Sequence, residues 1–140
     1  MGERDYDRGR ERPRCIAIAI CNEIIEDVRT HNKTLVSLFN AVHASSLPAV
    51  HPRMYVMGSF TDGQGRWPIL LRISDPDNEE MMKVEGEVEF QDPLGVCDLV
   101  FEILNLPLRK PGVHFVDVFA GGEHIAGRRF TVQSGGSPGG

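Results

Sequence analysis

Apolar and polar residues alternate through most of the chain. The clearest case is VEGEVEF, residues 84 to 90: Val84, Val88 and Phe90 fall on one side, Glu85, Glu87 and Glu89 on the other. Successive side chains of an extended backbone point to opposite faces, so a period of two marks a strand with one buried face. The same rhythm places Ile16, Ile18 and Ile20 of CIAIAIC inward against small residues. It makes Trp67, Ile69, Leu71 and Ile73 an inward row in WPILLRIS, and Leu99, Phe101 and Ile103 another in CDLVFEIL. TLVSLFNAV, residues 34 to 42, and RMYVMGSF, residues 53 to 60, are further strands.

Turn chemistry separates these runs. TDGQGR closes a hairpin between residues 60 and 67, and DPDNEE and QDPLG bracket the strand of residues 84 to 90. HASSLPAVHP and NLPLRKPG read as loops. NEIIEDVRTHNK holds either one helical turn or a turn between strands, with Asn32 suited to a left-handed conformation. About eight strands recur at turn signals roughly 8 to 12 residues apart, with no amphipathic helix between them. That spacing predicts an antiparallel β-sandwich, immunoglobulin-like or C2-like. The sandwich is expected over residues 15–132, between a flexible charged arm at 1–14 and a flexible Gly/Ser/Pro tail at 133–140.

The stretch VHFVDVFAGGEHIAGRRFTV departs from clean alternation. Its first strand carries His114, Val116 and Val118 on one side but Val113, Phe115 and Phe119 on the other, broken only by Asp117. Either a loop such as HASSLPAVHP or the arm covers this second face, or the face joins Leu70 in a patch that meets another chain. In the second strand Ile125 is out of phase with Phe130 and Val132, which predicts a bulge at Gly127.

Composition narrows the partners. Residues 1 to 14 hold five arginines and four acids, a net +1, so the rest of the −5 chain carries −6. An acidic body repels phosphate and disfavours nucleic acid. No run of about 18 apolar residues suggests a transmembrane helix, and charges stand where a signal peptide would need an apolar core. Three cysteines without that signal imply reduced thiols and a cytoplasmic location. Cys15 and Cys21, six residues apart, should share one side of their strand about 20 Å apart, too far for a disulfide.

Candidate chemistry is sparse. Asp75, Asp77 and Glu79 have the alternate spacing of an oxygen-ligand calcium loop, with Asp92 as a helper if its loop lies at the same end. The same residues are ordinary turn formers. The histidines (His31, His43, His51, His114 and His124) show no metal-ligand spacing. No serine or cysteine sits in a strand–turn–helix elbow, and the glycines of DGQGR precede no helix that could hold phosphate. The row Glu85, Glu87 and Glu89 is expected to be solvated, or paired with Arg128, Arg129 or a basic partner.

The segments SLFNAVHASSLPAVHPRMYV, RISDPDNEE, VEFQDPLG and PGVHFVDVFAGGEHIAGRRFTV resemble a group of uncharacterised bacterial domains thought to be β-sandwiches. The penultimate strand of that group often begins Gly-x-Tyr, whereas here Gly112 and Val113 lead to His114. The resemblance implies a fold and brings no functional residues. The expectation is a non-enzymatic, cytoplasmic interaction module without a cofactor. It would act through protein contacts, as a homodimer or an assembly subunit, with Val113, Phe115, Phe119 and Leu70 at the surface. The alternative is a small-ligand or calcium-binding module built on the loops around Asp75 and Asp92.

Overall fold

A computed structural model describes residues 11–135. Nine strands account for most of them: β1 (Arg14–Glu26), β2 (Lys33–Leu38), β3 (Ala41–Ala44), β4 (Ala49–Thr61), β5 (Gly65–Ser74), β6 (Glu80–Phe90), β7 (Cys97–Leu108), β8 (Gly112–Ala120) and β9 (Glu123–Ser134). They form a four-stranded sheet, β2-β1-β4-β7, and a five-stranded sheet, β3-β9-β8-β5-β6. The two inner faces close on one core in a β-sandwich, as the alternation predicts. Among the described residues every pairing is antiparallel except β3 with β9.

The ninth strand arises because the segment 34–42 changes sheets. Ser37 takes a positive φ of 57°. Phe39 N–H then donates to Ile20 of one sheet, while Asn40 accepts from Thr131 N–H of the other. Alternation reports only that backbone is extended, and it is silent about which sheet supplies the hydrogen bonds. The segment from Asn22 to Lys33 resolves into a turn between strands: β1 runs on to Glu26, His31 N–H donates to the Asp27 carbonyl in one uncontinued i→i+4 turn, and the left-handed residue is His31, at φ 62°, not Asn32.

The inward rows of β5, β6 and β7 lie where the period places them. Trp67, Ile69, Leu71 and Ile73 are at most 1% exposed, and Val88, Phe90, Phe101 and Ile103 are buried with them. Two bulges shift the expected phases. One lies between Cys15 and Ala17, which turns Ile16 out to 50% exposure while Ile18 and Ile20 face the core. It also removes the shared side expected for Cys15 and Cys21. The other lies at Ile125, not Gly127: Val118 pairs with Ala126, but Phe119 pairs with His124. The inserted residue restores the phase of Phe130 and Val132, both 1% exposed.

The sandwich begins earlier than residue 15. Pro13 is buried, Glu11 accepts a hydrogen bond from Gln64 N–H, and Arg12 donates to the Ala120 carbonyl at 2.6 Å. Its guanidinium stands 5.2 Å from the centre of the Trp67 ring. At the other end β9 extends to Ser134, and Gly135 N–H donates to Ala44. The remainder of the expected arm and tail, residues 1–10 and 136–140, lies outside the described residues.

Candidate functional site

The outer face of the five-stranded sheet collects the residues whose second-face apolarity stood out. Pairing with β5 sets Phe119 beside Leu70, Asp117 beside Arg72, and Phe115 beside Ser74. On the other flank β9 brings His124 to Phe119, Gly127 to Asp117 and Arg129 to Phe115. Beyond β5, Glu85 stands beside Leu70 and Glu80 beside Ser74. Leu70, Phe115 and Phe119 are half-buried and Val113 is 39% exposed. Among the described residues of the two segments that could cover this face, Leu47 of the 45–48 loop packs against the core, and Arg12 lies over Trp67.

The face carries a polar frame. His124 Nε2 lies 2.9 Å from Asp117 Oδ1, and its ring meets Phe119 edge-on at 5.4 Å. Arg72 pairs with Glu80 at 3.3 Å and donates to the Asn78 carbonyl at 3.0 Å. At the Phe119 end a cavity of about 250 Å³ opens between Pro68, Leu70, Glu85 and Phe119, bounded by the Gly121–Gly122 turn. Both turn glycines are left-handed, at φ 57° and 86°. Glu85 brings an exposed carboxylate to the wall of this cavity.

The calcium-loop candidates are held differently. Asp75 is 6% exposed, and its Oδ1 accepts hydrogen bonds from the N–H groups of Asp77 at 2.8 Å and Glu79 at 2.9 Å. Lys110 stands 3.7 Å from its Oδ2 and hydrogen-bonds Asp77. An ammonium thus occupies the position a cation would need, and the near oxygen serves the turn. Asp92 does not join this end. Its Oδ1 accepts from Leu94 N–H, and the adjacent Pro93 accepts from Asp62 N–H, so its loop sits with the β4–β5 hairpin. The length of β6 separates it from Asp75, about 35 Å at ordinary strand rise. Among the described residues no group of three or more His, Cys, Asp or Glu is placed to hold a metal.

The Glu79 and Asp77 N–H groups hold the Asp75 carboxyl below the usual carboxylate range, with the Lys110 charge adding to them. A carboxyl whose folded pKa lies under its unfolded value contributes stability that is fully present above the unfolded value, near pH ~4. That contribution is lost as pH falls through the lower folded value. The melting temperature of the wild type is therefore expected to exceed that of Asp75→Asn at neutral pH, and the gap to close on acidification below pH ~4. Calorimetry of both proteins across that range tests this, and a gap independent of pH would refute it.

Other expected groups are scattered or structural. Arg66, not Arg128 or Arg129, meets the carboxylate row, at 3.3 Å from Glu87 and 3.6 Å from Glu89. Arg128 instead ties the sheets together, donating to the Ile18 carbonyl and to Asn40 Oδ1. His114 is fully buried, stacks on Phe130 at 5.2 Å, and bonds Gly112 through Nδ1; its Nε2 is buried with no hydrogen-bond partner among the described residues. All three cysteines are free, and Cys15 and Cys97 flank Phe60 in register. Burial pushes the thiols of Cys15 and Cys21 up, away from reactive thiolate. Sequence reasoning missed Lys110, His124 and Arg66 as partners, because each meets its carboxylate through strand register or loop apposition and not through local spacing.

Residues 16–133 match the model of a family of unknown function, DUF6941. No curated protein matches the chain. Among solved structures it is similar to part of an alkylpurine DNA glycosylase of Pseudomonas fluorescens bound to DNA containing an abasic-site analogue. The identity there is 9%, the TM-score 0.44, and the match covers 83% of this chain and 30% of that one. A β-glucosidase of Listeria innocua in complex with glucose gives 12% identity and a TM-score of 0.47, over 85% of this chain and 16% of that one. An immunoglobulin-like protein of Pseudomonas aeruginosa gives 14% and 0.39, over 89% and 99%. The chain thus spans under a third of the length of the two enzymes. No helix among the described residues is long and apolar enough to cross a membrane.

Proposed function

Since the chain belongs to DUF6941, a family of unknown function, we propose a role from its geometry: a non-enzymatic interaction module of the cytoplasm that works through protein contacts. The contact surface is the outer face of the five-stranded sheet. One observation carries this reading. The inner face of β8 is buried in the core, yet its outer residues Val113, Phe115 and Phe119 are also apolar and remain partly exposed, Phe119 beside Leu70. A sheet with one solvated face normally carries polar residues there. Apolar side chains left partly exposed on a sheet face among charged neighbours are the pattern of a protein-contact site. The cytoplasmic placement rests on the three free thiols.

The test places a photo-cross-linking benzoylphenylalanine at position 119 of the full chain in living cells. The control position is Val28, 88% exposed in the turn after β1. Irradiation is expected to give a protein adduct at 119 that is absent at 28, identified by mass spectrometry. Equal adducts at both positions, or none at 119, would overturn the reading.

A further inference from the structure

Resting on that reading of the face, we infer that its occupant is a second copy of this chain, related by a two-fold axis that lies between the sheets and runs along the strands, midway between β8 and β5. Charge chooses this arrangement. The outer face carries the cation Arg129 and the imidazole of His124 on its β9 side, and is acidic at both ends of its β6 side, with Glu80 and Glu85. A two-fold along the strands keeps each residue at its own level and exchanges the flanks, so β9 of one copy overlies β6 of the other.

The register then specifies the contacts level by level. At the Phe119 level, Phe119 of each copy meets Leu70 of the other, and His124 meets Glu85 over the 250 Å³ cavity. At the next level Asp117 meets Arg72, and Lys83 of β6 falls opposite Gly127, where it opposes no charge. At the Phe115 level Arg129 meets Glu80. Each of these meetings occurs twice in an isologous contact. A two-fold running across the strands would do the opposite. It would set Asp117 against Asp117, Arg72 against Arg72 and Glu80 against Glu85. Like charges placed directly opposite are destabilising, and such juxtaposition is how interfaces reject a wrong geometry.

Two further observations fit. Arg129 makes no ion pair among the described residues, and neither does Glu85. The four strands that overlap in this arrangement, β9, β8, β5 and β6, spaced ~4.8 Å apart and about nine residues long, give a face on the order of 570 Å². That is about two thirds of the ~800 Å² per partner of a standard specific interface.

The experiment is analytical ultracentrifugation of the full chain at micromolar concentration. The wild type is expected at twice the 15.6 kDa chain mass. Arg129→Glu sets a carboxylate against Glu80 twice per dimer, and is expected to raise the dimer dissociation constant at least about tenfold. The variant leaves the Arg72–Glu80 pair of the protomer in place, and circular dichroism verifies its fold. Glu80→Arg should weaken the dimer similarly, and the double variant Glu80→Arg/Arg129→Glu should restore it to within a few-fold of wild type. A monomeric wild type overturns the inference, as does a dimer indifferent to Arg129→Glu or not rescued by the double swap. A position-119 adduct with a different protein, from a chain that stays monomeric, would sink the self-pairing and leave the contact surface standing.

Discussion

Replacing Trp67 with alanine is expected to destabilise the protein by about 4 kcal/mol, within the range seen for truncating a fully buried aromatic residue. Trp67 is the largest fully buried side chain among the described residues. It is fixed from several directions. Its Nε1 donates to the Gln64 carbonyl at 2.9 Å, Arg12 lies over one face of the ring, and the Gly121 turn presses against its edge. Few of these neighbours can collapse into the space, because the hairpin and the turn are each anchored by their own ladders. For a domain of this size the loss corresponds to a fall in melting temperature on the order of 15 °C. Trp67→Phe, which keeps a ring but loses the hydrogen bond, should cost about 1.5 kcal/mol. Denaturant titration measures both, and a Trp67→Ala cost below that expected for Trp67→Phe would show that the site relaxes freely. The indole also supports the Gly121–Gly122 turn that bounds the outer-face cavity, so Trp67→Ala should weaken self-association as well.

Gly121→Val is expected to cost about 3 kcal/mol, from two separate sources. At φ 57° a β-branched side chain crowds its own backbone, a penalty of about 1–2 kcal/mol. A Cβ there would also stand 2.8 Å from Trp67 Cζ3 and 3.1 Å from Cε3, closer than carbon atoms pack. Forcing that contact costs a further ~1–3 kcal/mol. The two sources separate in a double-mutant cycle. In a Trp67→Ala background the steric contact disappears while the backbone penalty remains. The double variant should therefore be less destabilised than the sum of the singles by about 1–2 kcal/mol. Strict additivity would mean that the contact between Gly121 and the indole contributes nothing.

Much of the sandwich was legible residue by residue. The inward rows of β5, β6 and β7 follow from a period of two, because a strand with one face in the core must bury every second side chain. The hairpin at TDGQGR and the turn at DPDNEE follow from residues that accept left-handed or capped backbone, as Asp62 at φ 63° and the Asp75 carboxylate show. What failed was phase. Ile16 and Gly127 were each assigned by counting, and a bulge at Ile16 and another at Ile125 reset the count. A bulge costs one unpaired residue and is decided by which neighbouring strand needs realignment, which alternation does not report.

The candidate face was half legible. The doubled apolarity of Val113, Phe115 and Phe119 stands out in the chain, and Leu70 is indeed the neighbour of Phe119. Its charged frame was not. Arg72, His124, Arg129, Glu80 and Glu85 come from three strands and acquire their order only from register. The acidic loops turn on the same point: Asp92 could help Asp75 only if their loops shared an end, and the length of β6 holds them at opposite ends.

The order of side chains along the backbone was enough to specify strands, turns, the buried rows and the two-layered class, because each depends on neighbours within a few residues. Which strands lie side by side, where segment 34–42 passes between sheets, and which charges share a face were settled only by folding. Those outcomes depend on hydrogen bonds and packing between residues far apart in the chain, and no local pattern encodes such distances.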